Sequence, residues 1–484
     1  QKEEALAWIE DSLKTDAFNF GCLFEKYLIT RNETVLIQLR NLMKRGAPDY
    51  EALVLDYTSA GRFEEALDVA ELAIAKPVGE QTLLHYYKSW CLIRLGKTAE
   101  AQIAIATAEK EPADYCFPNA LEAIEALQCV VDFAGKAPKA LYYLGNLWYD
   151  KRRYPTAIAA WERSSREDET FPTVWRNLSL AYFNKMNRPD EAVTLLEKAF
   201  RLDHTDARVL MELDQLYKRL NRPHIERLCF LEQHIDIVMT RDDLYLEYVT
   251  LLNQTGQYRE AIRRIDQRKF HPWEGGEGKV PAQYQLARLE LAKELINRKK
   301  YDDALALIDE CYIYPTHLGE GKLPGAQEND FNYYKAYILQ QQGRPEEAHS
   351  LFVKACSGNS QPAAAMYYND QKPDKIFYQG LAYRKLGEEE KARSRFNQLI
   401  TYGEEHLFDR FKMDYFAVSL PDLLIWEDDM DKKNRIHCNY LMALGHLGLG
   451  NRTKAEHFFD IAASMDNNHQ GVQIHRKLMN TILS

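Results

Sequence analysis

The sequence has no long apolar run, no closely spaced pair of cysteines and no surplus of positive charge. Nothing in it approaches the about 18 consecutive apolar residues of a membrane-spanning helix, which excludes that class. Its 62 Lys and Arg stand against 72 Asp and Glu, a net charge of −10, so no broad basic face for nucleic acid is expected. The eight cysteines show no CxxC pair and no tight cluster, which favours buried free thiols in a reducing compartment, the cytoplasm.

The sequence also lacks the motifs of common catalytic sites. It holds neither G-x-S-x-G nor H-E-x-x-H, the patterns of serine hydrolases and zinc proteases. Its histidines are scattered, and a lone histidine on a helix is usually an ordinary polar or packing residue. The acidic runs at 388–390 and 427–429 are typical of solvated helix faces. We therefore predict that the chain is not an enzyme and uses no cofactor or metal.

Small residues recur along the chain at long, regular spacing. Ala66 to Ala101 and Ala157 to Ala192 are each 35 residues apart, a period that fits a helix pair and not a heptad. Such a period predicts stacked pairs of helices, each contacting mainly its neighbours. The recurring positions are Ala66, Ala101, Ala157, Ala192, Ala261, Ala304, Ala348, Ala392 and Ala455.

The residues around this period resemble the tetratricopeptide repeat. The segment Trp175–Tyr182 is similar to the W-x2-L-G-x2-Y opening of the repeat, and Gly145 and Gly380 mark the same place in other units. A small residue there lets two antiparallel helices approach closely, and a large side chain four residues after the recurring alanine fills the adjoining groove. The resemblance implies an all-α fold, a tetratricopeptide-like α-α superhelix (solenoid).

Glycines recur at one fixed position of the repeats. Six of them lie five residues before a recurring alanine, where the end of the preceding helix needs a left-handed residue. They are Gly61, Gly96, Gly256, Gly343, Gly387 and Gly450.

The first residues resemble the second helix of a repeat. The run Lys2–Ile9 is comparable to the segment around Ala66, without a first helix before it. Because a solenoid end normally carries a polar capping element, we expect further polypeptide upstream of residue 1.

The repeat lengthens in the second half of the chain. The spacing between alanines rises to 43, 44, 44 and then 63 residues after Ala261, so we divide the chain into regular repeats over 1–260 and expanded repeats over 261–484. The added residues form loops that contain two similar runs, Gly276–Pro281 and Gly319–Pro324. Insertions at equivalent places in stacked repeats project from one edge, often the binding edge.

These loops are the first candidate binding surface. Their Gly-Glu-Gly-Lys runs do not match a phosphate-binding loop, because no Ser or Thr follows the lysine, and a turn explains them better. Their aromatic residues either pack onto the repeats or contact a partner. The candidate residues are Trp273, Glu277, Tyr314, Glu320, Tyr367, Tyr368 and Asp370.

The inner groove of the repeats is the second candidate. Asn146, Asn177 and Arg208 fall at places of a carboxylate clamp used by some tetratricopeptide proteins, but Tyr142 and Glu212 replace two basic members, which puts the clamp in doubt. The groove suits an extended peptide or a helix, with plain solvated surface as the alternative. The candidate residues are Tyr142, Asn146, Tyr149, Arg176, Asn184, Arg208, Tyr333 and Tyr337.

The last part of the chain carries a narrower resemblance. Segments such as Ile376–Ala382, Asp414–Asp422 and Asn434–Cys438 are similar to the repeat region of large bacterial proteins that have an N-terminal β-rich domain of unknown function. That resemblance implies a bacterial source and a role in carbohydrate metabolism. Two functions remain open: a protein-interaction scaffold for a partner or for the upstream domain, and an accessory module whose loop edge completes a sugar-binding site.

Overall fold

The computed structural model describes residues 2–43, 46–75, 81–364, 370–410 and 425–479. Every regular element in these ranges is a helix. The chain forms two compact units, Gln1–Leu202 and Asp203–Ser484, called unit 1 and unit 2 below. The predicted all-α fold is confirmed.

Unit 1 contains twelve helices in the described ranges. They are α1 (Lys2–Thr15), α2 (Phe20–Thr30), α3 (Glu33–Leu42), α4 (Ala47–Ser59), α5 (Phe63–Ile74), α6 (Thr82–Arg94), α7 (Thr98–Ala108), α8 (Glu122–Ala134), α9 (Pro138–Asp150), α10 (Tyr154–Glu167), α11 (Pro172–Met186) and α12 (Pro189–Leu202).

Unit 2 contains fourteen helices in the described ranges and one 3₁₀ turn, Thr316–Leu318. The helices are α13 (Ala207–Arg219), α14 (His224–Gln233), α15 (Ile235–Val238), α16 (Asp242–Gln254), α17 (Tyr258–Asp266), α18 (Lys279–Asn297), α19 (Tyr301–Cys311), α20 (Asn329–Gln341), α21 (Pro345–Ala355), α22 (Pro373–Lys385), α23 (Glu389–His406), α24 (Met430–Gly448), α25 (Arg452–Met465) and α26 (Gln470–Leu478).

Nine helix pairs carry the nine recurring alanines. Each alanine lies near the start of the second helix of its pair, and each is at most 2% exposed. The pairs are α4/α5, α6/α7, α9/α10 and α11/α12 in unit 1, and α16/α17, α18/α19, α20/α21, α22/α23 and α24/α25 in unit 2. The alanine period therefore reports the close contact within a pair, because a larger side chain has no space there.

The predicted small-to-large contact is also present. A Cβ atom built on Gly145 of α9 would lie 2.3 Å from the Trp161 ring of α10. The same holds for Gly380 of α22, where a Cβ would lie 2.4 Å from the ring of Phe396 in α23. In both pairs the large ring stands four residues after the recurring alanine and occupies the space that the glycine leaves.

A left-handed residue precedes the second helix of every pair. The six predicted glycines have φ between 70° and 80°. In the other three pairs the same place is taken by Arg152, Asn187 and Lys299, with φ of 59°, 53° and 58°. Asparagine tolerates this conformation, whereas for arginine and lysine the contact between Cβ and the backbone carbonyl makes it costly.

Replacing Lys299 with glycine is expected to stabilise the chain by about 0.5–1 kcal/mol, because glycine removes the steric cost of the left-handed conformation. Lys299 is exposed, so little packing is lost. Lys299→Ala is the control, since alanine keeps the Cβ and gains nothing. Urea unfolding measures both, and a destabilised Lys299→Gly variant would contradict the prediction.

Candidate functional site

The two similar loops of unit 2 lie side by side. The Gly278 amide donates to Glu320 Oε2 at 2.7 Å, and the Phe270 amide donates to the His317 carbonyl at 2.8 Å. Gly319 has φ of 77° and lies so close to the first loop that a Cβ would stand 2.7 Å from the Phe270 carbonyl oxygen. This glycine is therefore needed for loop contact as well as for the turn.

The end of the third loop joins the same edge. Gln327 Nε2 donates to the Asp370 carbonyl at 3.2 Å, and the Lys372 amide donates to Gln327 Oε1 at 3.1 Å. The candidate residues Tyr367 and Tyr368 lie outside the described residues.

The loop aromatics in the described ranges face two separate cavities. Trp273 is half-buried over Gly276 and lines a cavity of about 260 Å³ with Glu277 and Glu320. Tyr314 is half-buried and lines a larger cavity, with its hydroxyl 3.4 Å from Gln285 Nε2. Within the described ranges, the Trp273 ring lies against Gly276 of its own loop, whereas the Tyr314 hydroxyl lies beside Gln285 of α18.

The larger cavity, called the loop cavity below, has a volume of about 590 Å³. Its walls are α18, the loop over 312–328, the starts of α20 and α22, and α26. Two ion pairs line it: Lys375 Nζ lies 2.6 Å from Asp330 Oδ2, and Lys293 Nζ lies 2.5 Å from Glu290 Oε1. The interior of unit 2 thus combines buried charge with a space of ligand size.

His475 of α26 forms part of the cavity wall. Its ring is 3% exposed, and its Nδ1 lies 2.8 Å from the Gly471 carbonyl and 3.0 Å from the Tyr440 hydroxyl. Burial, followed by the positive charge of Lys293, lowers the pKa of His475 to about 3. The imidazole is therefore neutral at physiological pH, with its proton on Nδ1 where the carbonyl accepts it.

Helix α26 lies across the first helices of the unit 2 pairs. Gln470 exchanges hydrogen bonds with Gln283 of α18 at 2.8 and 3.0 Å. The His475 ring meets the Phe377 and Tyr378 rings of α22 with centroids 5.7 and 5.8 Å apart, and it bonds Tyr440 of α24. We call this surface of α18, α22 and α24 the first-helix face, and in this structure a helix of the same chain covers it.

The approach to α26 is tied to the start of unit 2. Asn468 Oδ1 accepts from Arg227 Nη1 at 2.7 Å, and the Asn468 carbonyl accepts from Gln254 at 2.9 Å. Nearby, Trp426 is 1% exposed and its indole N–H donates to the Glu212 carbonyl at 3.2 Å. All three bonds join residues more than 200 positions apart, and the two at Asn468 hold the segment before α26 in place.

The groove candidates of unit 1 serve mainly internal packing. Tyr142 is buried with its ring edge-on to Phe171, so the expectation that it lines a groove is corrected. Asn146 Oδ1 accepts from Trp161 Nε1 at 3.1 Å and from Asn177 Nδ2 at 3.0 Å, so this oxygen is already hydrogen-bonded within unit 1. The Tyr149 ring contacts the Trp161 ring at a tilt of 33°, with the centroids 5.3 Å apart. Arg176 and Asn184 are half-buried on α11.

The groove candidates of unit 2 divide in the same way. Tyr333 is buried against Phe352 and Tyr378, which corrects its assignment to a groove. Tyr337 is half-buried, with Lys385 Nζ 5.7 Å from its ring centroid. Arg208 is largely exposed and pairs with the buried Glu212 at 2.9 Å.

Within the described ranges, no group of three or more His, Cys, Asp or Glu side chains is placed to hold a metal ion. No helix in the same ranges combines the length and apolar content needed to cross a membrane.

Comparison with known proteins agrees with the repeat architecture. Two family models, each described as a tetratricopeptide repeat, match residues 117–174 and 376–402. With the nine helix pairs, these matches define an all-α chain of tetratricopeptide-type helical repeats, a class whose extended surfaces serve protein interaction.

Several solved structures are similar to this chain at low identity. MamA 41-end from Desulfovibrio magneticus RS-1 is 16% identical, with 40% of this chain and 97% of that chain covered and a TM-score of 0.24. The P58(IPK) TPR domain is 12% identical, with 99% and 93% covered and a TM-score of 0.26. The C-terminal part of a TPR repeat-containing protein from Cytophaga hutchinsonii is 16% identical, with 63% and 93% covered and a TM-score of 0.23.

The sequence did not indicate the buried ion pairs of the loop cavity or the position of α26. The one available signal for α26 is its spacing of Val472, His475 and Leu478, which places all three on one face of a short helix. All three are buried. Nothing in that pattern identifies which surface the face covers.

Proposed function

We propose that this chain is a non-catalytic protein-interaction module whose first-helix face binds an amphipathic helix. The observation that supports this is α26 itself, a nine-residue helix that the face already holds by its apolar side. A groove that accepts one helix through spaced apolar anchors and flanking amides accepts another of the same pattern. The partner is a protein helix, supplied by another chain or by a further domain of the same bacterial, cytoplasmic polypeptide.

The proposal requires α26 to compete with the partner. Because α26 is tethered to the repeat that it follows, its effective concentration at the face is about millimolar. A partner helix displaces it only by binding the face more tightly than α26 does. Weakening α26 therefore exposes the face without altering the repeats.

The test measures binding of a fluorescent peptide of residues 466–479 to the full chain. In Val472→Asp a charge replaces a side chain that is 2% exposed, so α26 is expected to leave the face. We expect the peptide to bind this variant at least about tenfold more tightly than wild type, by fluorescence anisotropy.

Thr453→Asp is the matched control, because it introduces the same residue at an exposed position of the neighbouring α25. This variant is expected to bind the peptide as weakly as wild type. If the peptide binds Val472→Asp and Thr453→Asp equally, and circular dichroism shows that both variants are folded, the proposal is wrong.

A second candidate function is favoured by the loop cavity. Here the chain is the accessory module of a carbohydrate-active bacterial protein, and its loop edge contributes a sugar-binding site. Glu320 and Tyr314, two of the predicted loop residues, line the cavity. The cavity shares α18, α22 and α26 with the first-helix face and its covering helix, so a partner that displaces α26 also removes one wall of the cavity.

A further inference from the structure

The helix that covers the first-helix face carries a buried histidine whose two ring nitrogens differ. Nδ1 of His475 lies within hydrogen-bond distance of the Gly471 carbonyl and the Tyr440 hydroxyl. Nε2 exposes less than 1 Å² and has no hydrogen-bond partner in the described part of the chain. A second proton on this ring would therefore add a buried charge and an N–H without an acceptor. The docked position of α26 thus stabilises the neutral ring.

The charged side chains around His475 do not compensate a positive ring. They lie on α18, α20 and α22 and are Glu290, Lys293, Asp330, Asp374 and Lys375. Glu290 and Asp330 favour the charged ring, but each already pairs with a lysine, Lys293 and Lys375 respectively. Burial, followed by the charge of Lys293, outweighs both carboxylates and keeps the pKa of His475 at about 3.

A second histidine holds the start of α26 and also has to be neutral. His469 is the N-cap residue, and its Nδ1 accepts from the Val472 amide at 3.1 Å. A protonated Nδ1 cannot accept, and its charge would lie at the positive end of the helix dipole. Protonation therefore removes the cap and repels the helix end.

The surroundings of His469 act in the same direction. The titratable groups that face it lie on α22, on α24 and in the segment before α26, and they are Asp374, His437, Tyr440 and Asp466. The two aspartates favour the charged ring, but burial is the largest cause and lowers the pKa of His469. Both histidines of this helix thus dock in the neutral form.

We propose that protonation of His469 and His475 releases α26, so that the first-helix face opens to a partner helix as the pH falls. This inference rests on the proposed function for the identity of the partner, and it adds how access to the face is regulated. Released histidines have their ordinary pKa of about 6.5, so the docked helix binds fewer protons than the released one. Docking is therefore strongest above about pH 6.5 and weakens as the pH falls from there toward about pH 3.

The experiment measures hydrogen exchange of the amides of residues 472–478 in the chain of residues 1–484, at pH 7.5 and at pH 5.5. Protection is expressed relative to the rate of an unstructured peptide at the same pH, which removes the intrinsic pH dependence of exchange. The change in pKa of His475 alone shifts docking about tenfold toward release between these pH values. We expect protection to fall by about tenfold or more, with a much smaller change in the amides of α20.

Variants assign this fall to the two histidines. His469→Asn keeps a capping oxygen that does not titrate, and His475→Phe keeps a ring that cannot be protonated. With both changes, we expect protection to differ by less than about threefold between the two pH values, whatever its absolute level. His457→Asn is the matched control, since it removes an exposed histidine from the neighbouring α25 and should retain the full fall.

His469→Asn by itself guards against misfolding of the double variant. It leaves the buried ring of His475 in place and is expected to show a smaller fall in protection than wild type. Equal protection of wild type at the two pH values would overturn the inference, and so would falls of equal size in wild type and in the variants that lack His469. The measurement follows α26 without a partner, so its result is independent of the peptide-binding test of the proposed function.

Discussion

Replacing Arg227 with alanine is expected to destabilise unit 2 by about 3–5 kcal/mol, because it leaves a buried carboxylate without its partner. The Arg227 side chain has no solvent exposure, and that of Asp214 is 1% exposed. The guanidinium donates to both Asp214 oxygens, at 3.0 and 2.7 Å, to Glu247 at 2.8 Å and to Asn468 at 2.7 Å. One side chain therefore ties α13, α14 and α16 to the segment before α26.

Urea unfolding followed by circular dichroism measures the loss. Arg259→Ala is the matched control, since Arg259 is an exposed arginine on α17, and its removal should change stability by no more than about 0.5 kcal/mol. A loss below about 1 kcal/mol for Arg227→Ala would show that the buried ion pairs contribute little to unit 2.

The second large effect is expected for Ala157→Glu in unit 1. Ala157 has no solvent exposure and lies in α10 where that helix meets α9. A glutamate there forces the helices apart or buries an unpaired carboxylate, and either costs several kcal/mol, on the order of 3. Thermal unfolding monitored by tryptophan fluorescence reports it, because Trp161 lies in the same helix pair.

Ala159→Glu is the internal control for this change. Ala159 is two residues away on the same helix and is exposed, so the same substitution should be nearly neutral there. Similar melting temperatures for the Ala157 and Ala159 variants would mean that the helix register is wrong.

The repeat architecture followed from the sequence because its determinants are local. A close helix contact accepts only a small residue, so Ala157 and Gly145 mark the contact within one pair. A tight helix end favours glycine, so Gly387 marks the turn between the two helices of another pair. Where the left-handed place holds Arg152 or Lys299 instead, the residue type gave no signal, and only the spacing indicated the turn.

The candidate site was predictable only in part. The duplicated loops pointed to one edge of unit 2, and Glu320 does lie there against Gly278. The role of the loops as walls of a cavity depends on α26, whose His475 reaches residues 35 to nearly 100 positions earlier in the chain. A nine-residue helix with three buried side chains carries no information about which distant face it covers, because long-range packing decides that.

The most direct test of the proposed function is hydrogen exchange of α26 within residues 1–484. A nine-residue helix is unstable by itself in water, so slow exchange there requires packing on the first-helix face. We predict that the amides of residues 472–478 are protected in wild type and in Thr453→Asp, and exchange at least about tenfold faster in Val472→Asp. Exchange of these amides at the rate of an unstructured peptide in wild type would contradict the account.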